Sequence, residues 1–176
     1  MSEITKKHKA SAPKQLNYAV FVCSTSRYQE IQNGEETDDV SGDIIEALLT
    51  NVGHCVLSRN IIADDRSMIE DAVKKILNTA ELDAAIFCGG TGVAPKDVTI
   101  ETVSPFFEKT LPGFGEIFRR LSYDKMGSAA VISRAVAGVA KGKALFCIPG
   151  SPDAVQVSVK TLILPETPHI VRHARE

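Results

Sequence analysis

A short apolar run that ends in glycines, Asp83-Ala84-Ala85-Ile86-Phe87-Cys88-Gly89-Gly90-Thr91-Gly92, lies near the middle of the chain. Its continuous apolar character is typical of a strand that is buried on both faces of a parallel sheet. The glycines then form a loop at the carboxyl end of that strand. Because open α/β sheets bind ligands beyond the carboxyl ends of their strands, the run predicts both a fold class and the place of a binding site.

Further strands are predicted before and after this one. Apolar runs span Tyr18 to Cys23, Val136 to Ala140 and Ala144 to Ile148, with Lys141-Gly142-Lys143 between the last two, and a second strand is predicted from His54 to about Ile62. Between them, apolar residues recur at the spacing of amphipathic helices. Strands that alternate with helices predict a three-layer α/β/α fold, in which helices cover both faces of a mostly parallel sheet.

Capping signals predict where several helices begin. A small polar or acidic side chain at the first position can accept a hydrogen bond from the first turn of a helix. The predicted caps are Ser41, the box Ser67-x-x-Glu70, Asp97, and Ser151 followed by Pro152. The polar segment from Ser24 to Val40 is expected to be a loop.

Length and composition predict one globular domain. The chain has 176 residues and 44% hydrophobic content, which fits a single domain that we place at residues 15–176. Residues 1–14 are polar and rich in lysine, so they are expected to form a disordered basic tail.

Charge and hydropathy exclude several classes of partner. The 20 Lys and Arg against 22 Asp and Glu give a net charge of -2, so no basic excess indicates a nucleic-acid partner. No apolar run approaches the roughly 18–20 residues of a membrane span, and the first residues lack the apolar core of a secretory signal. We therefore expect a cytoplasmic protein without a membrane partner.

Four cysteines, Cys23, Cys55, Cys88 and Cys147, are widely spaced in the sequence. No two of them form the CxxC pair of a metal or redox site. They are expected to be small side chains in a reducing cytosol, with those that end apolar runs buried.

Polar loops leave the predicted strands and are expected to meet at one edge of the sheet. They contain the candidate ligand-binding residues Ser24, Thr25, Ser26, Asp64, Gly89, Gly90, Thr91, Gly92, Asp97, Arg134, Pro149, Gly150 and Ser151. Glycines allow backbone N–H groups to approach a ligand oxygen, and Thr91 adds a hydroxyl. These donors favour a phosphate-bearing small molecule.

The glycine loop matches neither common phosphate motif. GxxxxGK[ST] is absent, and the third glycine of GxGxxG is missing after Gly92. A tight turn without a ligand therefore remains an alternative for Gly89-Gly90-Thr91-Gly92. The second loop of this kind, Pro149-Gly150-Ser151-Pro152, favours the interpretation as a ligand site.

Two aspartates, Asp64 and Asp97, follow predicted strand ends. Both could be helix caps, and Asp65 could exchange roles with Asp64. Facing a phosphate, two carboxylates would instead suit Mg²⁺. Arg134 and Lys96 could contact phosphate or form surface ion pairs.

At these residues the sequence resembles the MogA/MoaB family of molybdenum-cofactor biosynthesis proteins, and more closely its MoaB branch. The resemblance runs from about Asn17 to His173. It rests on five blocks in order, namely Thr37-Asp38-Asp39-Val40-Ser41-Gly42, Gly89 to Gly92 with Asp97-Val98-Thr99, Pro112-Gly113-Phe114-Gly115-Glu116, Ser133-Arg134-Ala135-Val136-Ala137-Gly138, and Pro149-Gly150-Ser151-Pro152.

The resemblance implies a molybdopterin-binding fold, assembly as a trimer or as a hexamer of two trimers, and work alongside other proteins of the cofactor pathway. It also implies molybdopterin adenylyl transfer, in which Mg-ATP and molybdopterin give adenylylated molybdopterin and pyrophosphate. Family aspartates map onto Asp64 and Asp97, which we assign to Mg²⁺ and nucleotide positioning. Ala63 departs from the family, whose active members usually have proline there, and this puts the rigidity of the loop in question.

Within that implied reaction, the glycine loop would hold phosphate, and Ser24, Thr25, Ser26 and Ser151 would donate hydrogen bonds to pterin or phosphate. Two other functions use the same residues. One is a MoaB-type carrier that binds molybdopterin without catalysis, and the other is a flavodoxin-like binder of FMN or a nucleotide.

Overall fold

The computed structural model describes residues 13 to 176. Its sheet has six strands in the order β2-β1-β3-β6-β5-β4. Four of them are parallel to one another, β1 (Asn17–Cys23), β2 (Cys55–Ile62), β3 (Ala84–Cys88) and β6 (Lys143–Ile148). The prediction of a mostly parallel sheet is therefore confirmed.

An antiparallel edge completes the sheet. The hairpin predicted at Lys141-Gly142-Lys143 places β5 (Val136–Ala140) antiparallel to β6. A two-residue strand that the sequence did not predict, β4 (Lys109–Thr110), pairs with the outer side of β5.

Helices connect the strands. They are α1 (Thr25–Gln32), α2 (Val40–Thr50), α3 (Arg66–Asn78), α4 (Thr99–Val103), α5 (Pro112–Met126), α6 (Pro152–Gln156) and α7 (Leu164–Ala174). Short 3₁₀ turns follow α4 at Ser104–Phe106 and α5 at Gly127–Ile132. A π-helical stretch, Val157–Ile163, joins α6 to α7 in one long helix.

The three predicted layers are present, with one apolar cluster on each face of the sheet. On one face, Tyr18, Val20 and Val22 of β1 pack with Ile45 of α2 and Val159 of the last helix. On the other face, alternate strand residues pack with α3 and α4, including Ala19, Phe21, Phe87, Ile69 and Val103. Because the sheet is covered on both faces, its central strands read as continuous apolar runs.

Three of the predicted helix starts are wrong. Asp39, rather than Ser41, caps α2 by accepting a hydrogen bond from the Gly42 amide. Asp65 caps α3 through the Met68 amide, which places the start ahead of the Ser67-x-x-Glu70 box. Asp97 does not cap α4, whose N-cap is Val98. The predicted cap at Ser151 is confirmed, since its side chain accepts from the Ala154 amide.

The segment predicted as a loop from Ser24 to Val40 contains α1. None of the residues of α1 is buried. The helix therefore lacks the apolar stripe on which the sequence prediction of helices depended.

Three cysteines, Cys23, Cys88 and Cys147, are buried as free thiols, as predicted, and Cys55 is half-buried. Burial raises the pKa of Cys23 to about 12, so this thiol stays protonated and unreactive at neutral pH. No helix among residues 13–176 is long and apolar enough to cross a bilayer. Most of the predicted tail, residues 1–12, lies outside the described part of the chain.

Candidate functional site

The carboxyl ends of the four parallel strands share one edge of the sheet, as predicted. Because β5 is antiparallel, its first residues lie at that edge too. A cavity of about 520 Å³ opens there. Its lining is Gly89, Gly90, Thr91, Gly92, Asp97, Met126, Ala129, Ile132, Ser133, Arg134, Pro149 and Gly150. Eight of the thirteen predicted binding residues therefore lie around one cavity.

The glycine loop has a backbone that other residues would strain. Gly89 and Gly90 have φ angles of +105° and +60°, in the region that favours glycine. A Cβ atom on Gly89 would lie 2.4 Å from the carbonyl oxygen of Cys23, and one on Gly90 would lie 2.5 Å from Oδ1 of Asp64. The glycines are thus required both by conformation and by close packing.

The two glycine loops contact each other. A Cβ atom on Gly150 would lie 3.3 Å from the Cα atom of Gly89, and the Gly89 amide donates to the carbonyl of Ile148 at 2.9 Å. The loops that follow β3 and β6 therefore form one continuous wall. Thr91 belongs to this wall, although it is only 4% exposed.

Asp64 is held against the glycine loop from the side of β2. Its Oδ2 accepts hydrogen bonds from the amide and the hydroxyl of Thr25, both at 3.0 Å, and its own amide donates to that hydroxyl oxygen. Asp64 does not cap a helix, since Asp65 takes that role. Asp64 is not among the residues that line the cavity, but its Oδ1 packs against Gly90, which does line it.

Asp97 closes a turn next to the loop and lines the cavity. Its Oδ2 accepts from the Ala94 amide at 2.8 Å, while its amide donates to the Ala94 carbonyl. A Cβ atom on Gly92 would lie 2.6 Å from the same Oδ2. The carboxylate is therefore packed directly against the glycine backbone.

Arg134 is hydrogen-bonded to the glycine loop at Gly92. Its guanidinium donates to the carbonyl of Gly92 at 3.1 Å and forms an ion pair with Glu101. Partial burial of Glu101 raises its pKa, but the hydrogen bond from Arg134, a backbone hydrogen bond and the charges of Arg134 and Arg66 together outweigh burial and lower the pKa of Glu101. Arg134 was predicted either to contact phosphate or to form a surface ion pair. The ion pair is present, and Arg134 also lines the cavity in which a phosphate would bind.

Four predicted donors do not line this cavity. The Thr25 hydroxyl is directed to Asp64, and the hydroxyls of Ser24 and Ser26 lie 3.3 Å from each other. Ser151 caps the last helix and lines a neighbouring cavity of about 60 Å³. Their assignment to pterin or phosphate stays a prediction.

Sequence reasoning missed several residues at this edge. The Ser41 hydroxyl donates to the Gly150 carbonyl at 2.7 Å and so links α2 to the second glycine loop. Thr99 is fully buried beside Gly90, and its amide donates to the Gly90 carbonyl. Met126 and Ile132 give the cavity an apolar rim, with exposures of 52% and 63%. Ser41 lies in the block Thr37 to Gly42, and Thr99 lies in the block Asp97 to Thr99. Their place in these blocks of the family resemblance was the signal in the sequence that could have identified them.

The arrangement suits a phosphate bound with a divalent cation. Asp64 and Asp97 each use one carboxylate oxygen for hydrogen bonds, and the other has no hydrogen-bond partner within residues 13–176. No group of three or more metal-ligating side chains forms in that part of the chain. Mg²⁺ typically takes one or two carboxylates and completes its shell with substrate phosphates and water, so these two aspartates fit it.

The chain is similar to proteins of molybdenum-cofactor biosynthesis. The family model described as "Probable molybdopterin binding domain" matches residues 19–169. A Methanocaldococcus jannaschii protein named "Probable molybdopterin adenylyltransferase" is 40% identical over 163 residues, covering 93% of this chain and 96% of its own. The Bacillus subtilis "Molybdenum cofactor biosynthesis protein B" is 40% identical over 172 residues, covering 97% of each chain.

A solved structure extends this similarity to the fold. The Pyrococcus furiosus "tungsten cofactor synthesizing protein MoaB" is 35% identical and superposes with a TM-score of 0.82, covering 94% of this chain and 100% of its own. Since the family model spans most of the chain and relatives at 40% identity cover nearly all of it, the chain belongs to the MogA/MoaB family of molybdenum-cofactor biosynthesis proteins.

Proposed function

We propose that this protein is a molybdopterin adenylyltransferase of molybdenum-cofactor biosynthesis. It would transfer the adenylyl group of ATP to the terminal phosphate of molybdopterin and release pyrophosphate. The observation that carries the proposal is the packing of Asp64 and Asp97 against one glycine loop, in a chain 40% identical to a protein named for this activity. A molybdopterin carrier without catalytic activity would also need the glycine loops to bind its ligand. It would not need the two carboxylates that are held beside the first loop.

The reaction requires positioning more than proton transfer. A phosphate oxygen of molybdopterin forms a bond to the α-phosphorus of ATP, and the bond from that phosphorus to the bridging oxygen of pyrophosphate breaks. The second pKa of a phosphate monoester is about 6, so the nucleophile is already ionised at neutral pH. The cavity lining accordingly includes no histidine. Holding two polyanions in line is the main task left to the protein.

Backbone donors and Arg134 would hold the phosphates. Gly90, Thr91 and Gly92 would offer their N–H groups at the cavity wall, and Arg134 would add a positive charge there. Thr25 holds Asp64 in place, and the turn at Ala94 holds Asp97. Each carboxylate would present its other oxygen to Mg²⁺, which supplies charge neutralisation between the phosphates when bound.

The variants Asp64→Asn and Asp97→Asn test this assignment, with pyrophosphate release from ATP and molybdopterin as the measurement. We expect each to lower the rate by about 100-fold or more, because misplacing the reacting phosphates has effects of that size. Asp65→Asn is the matched control. It changes the neighbouring carboxylate but keeps a good helix cap, so its rate should equal that of the wild type.

The same assay separates the enzyme from the carrier. Tight molybdopterin binding without pyrophosphate release in the wild type would support the carrier and overturn the adenylyltransferase. A yellow protein on purification would instead indicate a flavin binder.

Assembly and location complete the proposal. We expect a homotrimer or a hexamer of two trimers in the cytoplasm, acting with other proteins of the pathway. Light scattering on the purified chain should then give about three or six times its mass of 19.0 kDa. A monomer at working concentration would contradict the expected assembly.

A further inference from the structure

Two histidines on the last helix lie far from the cavity described above. His169 and His173 are one helical turn apart on α7, with their Nε2 atoms 2.9 Å apart and their ring centroids 4.6 Å apart. The end of this helix contacts the opposite edge of the sheet, where Arg175 forms an ion pair with Asp83, just ahead of β3. The pair therefore belongs to a different region from the glycine loops.

A carboxylate lies beside the other ring nitrogen of each histidine. Nδ1 of His173 is 2.8 Å from Oε2 of Glu176, and Nδ1 of His169 is 3.7 Å from Oε2 of Glu166. Glu176 is within hydrogen-bond distance of Nδ1 of His173 and favours the tautomer that carries the proton there, whereas Glu166 is a neighbouring negative charge beyond hydrogen-bond distance of His169. Metal-binding histidines commonly have such carboxylates behind them. With His173 in this tautomer, its Nε2 lone pair faces Nε2 of His169 2.9 Å away, and a cation can take the place of the proton between the two nitrogens.

We propose that His169 and His173 chelate a divalent transition-metal ion through their Nε2 atoms. Nitrogens about 2.05 Å from one ion lie about 2.9 Å apart at a right angle, but about 3.3 Å apart at the tetrahedral angle. The observed separation of 2.9 Å is therefore close enough for both nitrogens to reach one ion. The expected order of affinity is Cu²⁺ first, with Ni²⁺ and Zn²⁺ weaker.

The surroundings leave room for the rest of a coordination shell. The side chains of His169 and His173 are 27% and 45% exposed, and both line a cavity of about 410 Å³. Since no group of three or more metal ligands forms within residues 13–176, water would complete the shell. Such a site binds its ion reversibly, and Mg²⁺ does not suit it because Mg²⁺ prefers oxygen ligands.

Calorimetric titration of the full chain, after chelator treatment, tests the site with Cu²⁺, Ni²⁺, Zn²⁺ and Mg²⁺ alone. We expect one Ni²⁺ per chain, and at least a tenfold loss of affinity in His169→Gln and in His173→Gln. Glu176→Gln should weaken binding by about tenfold, as loss of a carboxylate behind a ligand does. Lys160→Gln, an exposed change on the same long helix, is the control and should bind like the wild type.

Equal affinity in the wild type and both histidine variants would overturn the proposal, as would no Ni²⁺ binding to the wild type at 100-fold molar excess. The pair would then share a proton instead. Circular dichroism checks that each variant is folded. Adenylyl transfer by His169→Gln should match the wild type, so failure of the metal site and failure of the proposed enzyme are distinguishable.

Discussion

Gly90 contacts the residues on which the proposed chemistry depends. A Cβ atom at this position would lie 2.4 Å from the Thr99 hydroxyl and 2.5 Å from Oδ1 of Asp64, and the backbone already has φ of +60°. Any side chain at this position would therefore displace either the loop or the carboxylate. The site has few reactive side chains, so the proposed chemistry depends mainly on where the main chain of the glycine loop lies.

Gly90→Ala should abolish adenylyl transfer and lower the free energy of unfolding by about 2–3 kcal/mol, since the left-handed conformation and the collision both act. Pyrophosphate release and urea denaturation measure the two effects. Gly34→Ala is the matched control, because Gly34 has φ of +77° and open space around it. It should cost about 1 kcal/mol and leave the rate unchanged. Full activity in Gly90→Ala would show that the loop does not hold the reacting phosphate.

The ion pair between Arg134 and Glu101 predicts a pH dependence. The pKa of Glu101 is lowered in the folded protein, so the pair stabilises the fold above the ordinary pKa of 4.5 and loses this effect as pH falls through the lowered value. Because Glu101 is 40% exposed, solvent screens the pair, and Glu101→Gln should cost only about 0.5 kcal/mol at pH 7. Urea denaturation at several pH values from 7 downwards measures the difference, which should shrink as pH falls below 4.5 and Glu101 becomes protonated. A cost that stays constant over that range would have another origin.

Single residues also show where sequence reasoning stops. Asp64 and Asp65 are adjacent carboxylates after one strand, and from the sequence either could be a helix cap or a Mg²⁺ ligand. Only the folded chain places Thr25 within 3.0 Å of Asp64, 39 positions away in sequence, and leaves Asp65 to cap α3. No local sequence pattern indicates a contact between two residues that lie 39 positions apart.

Among the elements, α2 joins the site to the body of the protein. Its first turn reaches the second glycine loop through Ser41, and its cap, Asp39, accepts hydrogen bonds from Arg59 on β2 at 2.6 Å and 2.9 Å. Asp43 and Glu46 on the same helix also pair with Arg59. The helix is thereby fixed on the sheet at the end that faces the cavity.

Two substitutions separate the cap from the charge at Asp39. Asp39→Ala removes both and leaves the half-buried Arg59 with fewer partners, so it should lower the free energy of unfolding by about 2–3 kcal/mol. Asp39→Asn keeps the cap and should cost about 1 kcal/mol. Urea denaturation of both variants compares them. Equal costs would mean that the cap contributes nothing and the charge everything.

Elements were predictable where their apolar pattern is strong. The strands β1, β3, β5 and β6 follow continuous apolar runs, and α3 follows its helical stripe. In contrast, α1 has no buried residue, and the two residues of β4 are stabilised only by pairing with β5. Capping signals failed at α2 and α3 because an aspartate two residues ahead of the serine, Asp39 or Asp65, caps the helix and makes it begin earlier.

For the whole molecule, the parallel direction of the central strands is consistent with the burial of both faces of the sheet. Strands covered on both sides need crossover helices, and these return each parallel strand to the same edge. That rule alone brought the loops of Gly89 and Gly150 together in the prediction. It could not say that Ser24, Ser26 and Ser151 would lie off the cavity, because side-chain direction within a loop depends on tertiary contacts.

The most direct test of the proposed function follows the fate of the α-phosphate of ATP. With ATP labelled at that phosphate, molybdopterin and Mg²⁺, the purified protein should transfer the label to the pterin and release one pyrophosphate for each adenylylated molybdopterin, as measured by mass spectrometry and a pyrophosphate assay. If labelled ADP or free AMP forms instead, or molybdopterin binds while the label stays on ATP, the protein is not a molybdopterin adenylyltransferase.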